Sequence, residues 1–101
     1  IDPKKVELIQ YSDLPHVARY ASEMSDIIRS IQWAVDETDR RFSAMQRARI
    51  REYDGSHLYV IIDELADLMT TAKKETLPLL QRLAQPSRHH LSSCAFSRPS
   101  R

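Results

Sequence analysis

The sequence predicts an α/β fold with an incomplete parallel sheet, flanking helices and one long amphipathic helix. Three observations support this prediction. Apolar residues recur at three- and four-residue spacing between residues 22 and 45, over about six helical turns. The segment LYVII, residues 58–62, is apolar on both faces, as in a strand of a covered parallel sheet. Two acids, Asp63 and Glu64, follow this strand directly, and helical spacing then resumes.

Composition is that of an ordinary globular domain in a reducing setting. The 101 residues are enough for one domain or less, and 42% of them are hydrophobic, which is too many for a disordered chain. The net charge of +1 does not mark nucleic-acid binding. The single cysteine, Cys94, excludes an internal disulfide and a multi-cysteine metal site. A cytoplasmic location is therefore expected.

The first half of the chain predicts irregular structure and then a helix. Residues 1–21 contain Pro3 and Pro15, which interrupt helices. The long helix is expected to follow, with Ser22 or Ser25 as its N-cap. Its apolar stripe consists of Met24, Ile27, Ile28, Ile31, Ala34, Val35, Thr38, Phe42 and Met45.

The second half predicts a turn, the strand, another helix and a tail. Asp54 and Gly55 form the turn signal before the strand. The further helix is expected from about Glu75 to about Gln85, with Pro78 in its first turn. The tail, residues 86–101, shows no persistent period, which predicts a loop or poorly ordered chain.

Glycine content excludes one class of nucleotide site from these residues. Gly55 is the single glycine, whereas glycine-rich phosphate loops need several residues that allow close backbone approach. Neither GxxxxGK[ST] nor GxGxxG occurs.

The acids after the strand suggest part of an ATPase site. Ligands of open α/β sheets bind at the carboxyl ends of the strands. A carboxylate at the strand tip, Asp63, can hold hydrated Mg²⁺ bound to ATP, and the next one, Glu64, can deprotonate the attacking water. Four apolar residues followed by Asp-Glu form the Walker B pattern. The open alternative is structural, with both acids serving as N-cap and first-turn residues of the following helix.

Five segments occur in order along residues 1–85: IDPKKVEL (1–8), LPHV (14–17), IQWAVDETDRRFSAM (31–45), YVIIDELADLM (59–69) and QRLAQ (81–85). Together they resemble the motor domain of the FtsK/SpoIIIE family of DNA translocases. The resemblance implies a partial RecA-like P-loop ATPase fold. It also implies a bacterial motor that uses ATP to move double-stranded DNA in chromosome segregation or conjugative transfer.

The resemblance also implies roles for four residues. Asp63 becomes the acid that holds Mg²⁺ through water, and Glu64 the catalytic base. Asp2 and Lys4 are expected near the nucleotide edge or a subunit interface. The implied cofactors of the parent motor are ATP and Mg²⁺, and its implied partners are double-stranded DNA and like subunits in a hexameric ring.

Two departures from the family pattern affect the expected activity. The phosphate loop of the family lies upstream of IDPK and is not among these residues, so negligible ATPase activity and no tight ATP binding are expected. The segment HHLSSCAFS, residues 89–97, is not expected to form the family's next strand, although RPSR follows it. The chain is therefore interpreted as a Walker B half (residues 1–85) with a divergent or disordered tail (residues 86–101), marginally stable and self-associating.

A second functional class stays open. In it the chain is a non-catalytic helical module that binds a partner or dimerises through the apolar stripe of residues 24–45. Trp33 is expected to contribute to packing rather than to stack on a ligand. The arginines between residues 40 and 51 are expected to form a solvated face rather than a DNA contact. His89, His90 and Cys94 match no zinc spacing.

Overall fold

A computed structural model describes residues 1–3, 8–50 and 55–85, and the backbone of residues 92–96. In chain order its elements are a 3-10 helix (Ile9–Tyr11), α1 (Met24–Ala48), β1 (Leu58–Ile62), α2 (Leu65–Thr71), α3 (Lys73–Leu83) and β2 (Ser92–Phe96). The predicted mixed α/β class is confirmed. No helix within the described ranges is long and apolar enough to cross a membrane.

The predicted long helix is α1, and its apolar stripe forms the core. The buried members of α1 are Ile27, Ser30, Ile31, Ala34, Val35, Thr38 and Met45. The prediction of Ser22 or Ser25 as N-cap is wrong, because Glu23 has the extended backbone of an N-cap and its carbonyl accepts the N–H of Ile27 at 2.9 Å. Arg49 ends the helix in the left-handed region, with φ of 56°.

The core lies between α1, α3 and one face of β1. Val60 and Ile62 of β1 are buried in the same core cluster as Ile31 of α1 and Leu83 of α3. The alternate residues of β1, Tyr59 and Ile61, are 67% and 53% exposed. The sequence predicted cover on both faces of this strand, but the described residues cover only one.

The sheet consists of β1 and β2 in parallel, with Leu58 opposite Ser92 and Ile62 opposite Phe96. The prediction that HHLSSCAFS does not form a strand is therefore wrong for residues 92–96. Pairing in a sheet depends on backbone hydrogen bonds, and a five-residue strand needs no persistent apolar period when a strongly apolar neighbour is available. The remaining residues of the predicted tail lie outside the described ranges.

The helix predicted from Glu75 is α3, which begins two residues earlier, at Lys73. Its start is fixed by Ala72, whose φ of −142° separates α2 from α3 and whose carbonyl accepts the N–H of Thr76. Pro78 consequently lies inside the helix and not in its first turn. Because Pro78 is exposed, the missing hydrogen bond falls on the outer side of α3.

The Glu37 carboxylate binds two arginines of α1, and one of them, Arg41, links this helix to Ser56, which precedes β1. Glu37 accepts from Arg40 Nη2 at 2.6 Å and from Arg41 Nε at 3.0 Å, and Arg41 Nη1 also donates to the Ser56 carbonyl at 2.8 Å. The hydrogen bond from Arg40, together with that from Arg41, lowers the pKa of Glu37 from 4.5 to about 2. Arg40 and Arg41 thus have partners within the chain. The side chain of Arg40 is 67% exposed, as the solvated-face interpretation expects, whereas that of Arg41 is only 14% exposed.

We expect acid to destabilise the fold through Glu37. Its pKa is lower in the folded chain, so its stabilisation is fully present above pH 4.5 and is lost as the pH falls towards about 2. Glu37→Gln should remove this part of the pH dependence and cost about 1 kcal/mol at neutral pH. Thermal unfolding between pH 2 and pH 7 measures both effects. Asp36→Asn, which changes the neighbouring exposed acid, is the control and should leave the slope in place.

Candidate functional site

The acids Asp63 and Glu64 lie between the end of β1 and the start of α2. Asp63 is partly buried, and Glu64 is 9% exposed. The N–H of Asp63 donates to the Ile1 carbonyl at 3.0 Å, and the Ile1 nitrogen donates to the Ile61 carbonyl at 2.8 Å. Ile1 thus bonds to two residues that lie two positions apart, Ile61 and Asp63, as a residue does when it pairs with a parallel strand. The segment that begins with Ile1 therefore lies beside the carboxyl end of β1.

The backbone of Glu64 is held in an unfavourable conformation. Its φ of 62° and ψ of 66° lie in the left-handed region, where a residue with a Cβ atom pays roughly 1–2 kcal/mol. Such residues persist only where the surrounding structure fixes them, and they concentrate at functional sites. Glu64 is also the N-cap of α2, and its carbonyl accepts the N–H of Asp67 at 3.1 Å.

The side chain of Glu64 does not cap α2. This observation bears on the structural alternative, in which Asp63 and Glu64 serve only as N-cap and first-turn residues of the following helix. An N-cap acid normally accepts a hydrogen bond on its side chain from the first turn of its helix. Glu64 makes no such bond, and its backbone is not extended as in an ordinary N-cap. The identity of this residue is therefore not explained by capping.

Substitution of Glu64 by glycine and by alanine measures the backbone strain at this position. Both substitutions remove the carboxylate, but only glycine accepts a positive φ without cost. We expect the Glu64→Gly chain to be more stable than the Glu64→Ala chain by about 1 kcal/mol. Denaturant unfolding monitored by circular dichroism gives the difference. Arg49, with φ of 56° at the end of α1, is the matched control, and the same pair of substitutions there should give a similar difference. Equal stabilities at position 64 would contradict the assigned strain.

Asp2 organises the segment before α1. It is fully buried, and its Oδ2 accepts the N–H of Leu8 and the hydroxyl of Tyr20, both at 3.1 Å. Its own N–H donates to the Ala21 carbonyl at 2.8 Å. Within the described residues, Asp2 Oδ1 has no hydrogen-bond partner. Desolvation raises the pKa of Tyr20, and the hydrogen bond to Asp2 raises it further.

Three of the four predicted site residues lie on adjoining segments. Asp2 follows Ile1 directly, and the Ile1 carbonyl accepts the N–H of Asp63 at 3.0 Å. Glu64 follows Asp63 directly. Lys4 lies outside the described residues. The placement of Asp2 near the nucleotide edge stays a prediction.

The role of Asp63 in holding Mg²⁺ through water stays a prediction. Among the described residues, no group of three or more His, Cys, Asp or Glu side chains could enclose a metal ion. Mg²⁺ commonly keeps several waters and uses only one or two carboxylates together with substrate phosphates. Asp63 supplies such a carboxylate at the strand tip.

Sequence reasoning missed a groove between residues 8–20, α1 and β1. Trp33, which was expected to contribute to packing, is 37% exposed and borders this groove. Tyr59 and Ile61 form part of its wall. The available signal was that β1 is apolar on both faces, whereas α1 presents only one apolar stripe.

Comparison with protein-family models matches residues 1–59 to the FtsK/SpoIIIE family, which is more than half of the chain. The chain belongs to the FtsK/SpoIIIE family. Membership implies the P-loop NTPase fold. The family match ends within β1, at Tyr59, and therefore does not include Asp63 and Glu64.

Similar proteins are the DNA translocases FtsK and SftA. The chain is 30% identical to the DNA translocase FtsK of Haemophilus influenzae over 125 residues, which covers 87% of the chain and 24% of that protein. It is 33% identical to the DNA translocase SftA of Bacillus subtilis over 103 residues, 87% of the chain and 11% of that protein. It is 31% identical to the FtsK of Mycobacterium tuberculosis over 112 residues, 87% of the chain and 14% of that protein. The chain thus spans about a quarter or less of these relatives.

Proposed function

We propose that residues 1–85 are the Walker B half of a RecA-like ATPase domain, from a motor that uses ATP to move double-stranded DNA. One observation carries the proposal. A nearly buried glutamate, Glu64, is held in a strained left-handed conformation directly after Asp63, at the carboxyl end of a parallel strand. Capping does not account for it, whereas a fixed position for a catalytic carboxylate does.

The two acids have different roles because they differ in position and burial. Asp63 follows β1 immediately and is the more accessible of the two, which suits a carboxylate that holds Mg²⁺ through water. When bound, Mg²⁺ neutralises charge on the phosphates. Glu64 is 9% exposed, so it is shielded from bulk water and suits a base that orients one water and accepts its proton.

Asp2 has a positioning role in this proposal, beyond its expected place near the nucleotide edge. Its hydrogen bonds to Leu8 and Tyr20 hold the segment that follows Ile1, and Ile1 in turn bonds to Asp63. The position of the strand-end acids is therefore coupled to Asp2. Lys4 is proposed near the same nucleotide edge or at a subunit interface.

The 101 residues by themselves are proposed to have negligible ATPase activity. They contain no GxxxxGK[ST] motif, so they supply neither the backbone donors nor the lysine that hold the β- and γ-phosphates. These groups contribute several kcal/mol, on the order of 3 kcal/mol or more, to transition-state stabilisation. ATP and Mg²⁺ are accordingly proposed as cofactors of the complete motor and not as tight ligands of this chain.

DNA as a proposed partner follows the names of the relatives, which are DNA translocases. Double-stranded DNA, like subunits in a hexameric ring, the cytoplasm, and chromosome segregation or conjugative transfer are proposed for the complete motor from the family resemblance. For the chain alone, marginal stability and self-association stay predictions.

A motor chimera tests the proposal. Residues 1–85 replace the corresponding segment in the FtsK relative from Haemophilus influenzae, and DNA-stimulated ATP hydrolysis is compared with that of the parent and of the 101-residue chain. We expect activity in the chimera and background hydrolysis by the chain. ATP hydrolysis by the 101-residue chain alone at the rate of the parent motor would contradict the proposal that this chain supplies the acids of the site without the groups that hold the phosphates.

The alternative, a module that binds a partner or dimerises through the stripe of residues 24–45, is less favoured. Ile27 and Ile31 at the centre of the stripe are 0% exposed, whereas Met24, Ile28 and Phe42 are only partly buried. Most of the stripe is therefore taken up by contacts within the chain.

A further inference from the structure

The first two residues lie between the carboxyl end of β1 and the segment that precedes α1. On one side, the Ile1 nitrogen donates to the Ile61 carbonyl at 2.8 Å, and the Ile1 carbonyl accepts the N–H of Asp63 at 3.0 Å. On the other side, the N–H of Asp2 donates to the Ala21 carbonyl at 2.8 Å. Successive N–H groups of an extended chain point to opposite sides, so this pair of residues joins both segments.

Tyr20 adds a side-chain contact at the same place. Its hydroxyl donates to Asp2 Oδ2 at 3.1 Å, and this oxygen also accepts the N–H of Leu8 at 3.1 Å. Asp2 is 0% exposed and Tyr20 is partly buried, so water competes little for these bonds. A hydrogen bond to a carboxylate is stronger than one between neutral groups. Tyr20 therefore fixes the Asp2 side chain, and with it the backbone that bonds to Asp63.

The Tyr20 hydroxyl has no substitute among the described residues. Both bonds to the Asp2 carboxylate fall on Oδ2, whereas Oδ1 has no hydrogen-bond partner within the described ranges. Removal of the hydroxyl therefore leaves a buried acceptor with fewer donors, which costs more than the loss of an exposed bond. The sequence gave no reason to single out Tyr20, because the contact joins residues 18 positions apart.

We propose that Tyr20 is a positioning residue for the strand-end acids, acting through Asp2 and Ile1. The inference rests on the proposed ATPase role of Asp63 and Glu64. Tyr20 holds the Asp2 side chain, and the adjoining Ile1 carbonyl holds the N–H of Asp63. Glu64 follows directly in its left-handed conformation, so displacement of Asp63 also displaces the proposed base. Small misplacements of catalytic groups lower turnover.

Amide hydrogen exchange of the 101-residue chain, followed by NMR, tests this coupling without any activity. Tyr20→Phe removes the hydroxyl and keeps the ring. We expect it to speed exchange of the Asp63 N–H at least about tenfold, because loss of a hydrogen bond to a carboxylate favours local opening. Exchange of the Val35 N–H, in the buried part of α1, should change less than about twofold, since local opening leaves the core intact. A general loss of stability would speed both amides alike.

Tyr11→Phe is the matched control. Tyr11 lies in the same stretch before α1 and is 50% exposed, so loss of its hydroxyl should leave exchange of the Asp63 N–H unchanged. Asp2→Ala removes the acceptor, and adding Tyr20→Phe to it should have no further effect. Asp2→Asn should speed exchange less than Asp2→Ala, because its amide oxygen can accept both bonds that Oδ2 accepts. If circular dichroism shows that Asp2→Ala is unfolded, Tyr20→Phe and Tyr11→Phe still decide.

The motor chimera separates this inference from the proposed function. In the chimera, Tyr20→Phe should lower kcat for ATP hydrolysis at least about threefold and leave KM for ATP within about twofold, since positioning acts on the chemical step. Tyr11→Phe should change neither value. Glu64→Gln tests the proposed function in the same chimera. If it keeps full activity, the proposed function fails and this inference fails with it, whatever the exchange rates.

Three outcomes would overturn the inference while a loss of hydrolysis in Glu64→Gln upholds the proposed function. The first is equal exchange of the Asp63 N–H in Tyr20→Phe and Tyr11→Phe. The second is equal acceleration of the Asp63 and Val35 amides in Tyr20→Phe, which would assign Tyr20 to general stability. The third is an unchanged kcat in the Tyr20→Phe chimera, which would limit the contact to a structural one.

Discussion

ATP hydrolysis by the motor chimera is expected to fall at least about 100-fold when Glu64 is changed to glutamine. General-base catalysis contributes typically about 10² to 10⁴ in rate, and an amide cannot accept the proton of the attacking water. The change keeps the size and the hydrogen-bonding shape of the side chain, so the left-handed backbone of Glu64 and its bond to Asp67 should be retained. ATP binding should therefore be preserved, and the loss should appear in kcat.

Asp67→Asn is the control for this experiment. Asp67 is an acid in the first turn of α2, three residues from Glu64, and it has no proposed role in catalysis. Its amide variant should hydrolyse ATP within about threefold of the unchanged chimera, the scale of a first-turn acid's effect on its helix dipole. If Glu64→Gln and Asp67→Asn have the same small effect in a folded chimera, the catalytic assignment is wrong. Glu64→Gln should be silent in the 101-residue chain, because that chain lacks the phosphate loop.

Changing Ile31 to aspartate is expected to prevent folding of the chain. Ile31 is 0% exposed and lies in the cluster that joins α1 to β1 and α3. An unpaired carboxylate at this position replaces apolar contacts with a buried charge, and such changes cost more than about 4 kcal/mol, a large part of the stability of a small domain. Loss of the helical circular dichroism signal and of a cooperative thermal transition measures the effect.

Ala44→Asp is the matched control on the same helix. Ala44 is exposed, so the new carboxylate remains in water and should cost less than about 1 kcal/mol, mainly through helix propensity. The comparison also tests the interaction-module alternative. If the stripe of α1 were a partner surface, Ile31→Asp would give a folded chain that no longer associates. A folded Ile31→Asp monomer would therefore contradict the assignment of the stripe to the core.

Much of the fold follows from patterns that are local in the chain. The period of α1 is visible in its apolar residues, because one face of a long helix must be buried. The strand β1 was predicted at its observed bounds, since its five apolar residues end in two acids. The boundaries of α3 were less accurate, because the break at Ala72 depends on how α2 meets α3 and leaves no signal in composition.

Other features depend on contacts between distant residues. The strand β2 was not predicted, because Ser92–Phe96 pairs through its backbone with a strand more than thirty residues away. The burial of Asp2 was also not predicted. It results from the convergence of Leu8 and Tyr20 on one carboxylate, a contact between segments that shows no pattern in sequence.

The sequence by itself determined the family, the long helix, the apolar strand and the identity of the acids that follow it. These properties depend on residue type and short-range spacing. Only the tertiary structure decided that Glu64 is strained and nearly buried without capping α2, that Ile27 and Ile31 of the α1 stripe are core, and that Tyr59 and Ile61 of β1 stay exposed among the described residues. Each of these depends on which faces the packed elements cover, and no local pattern contains that information.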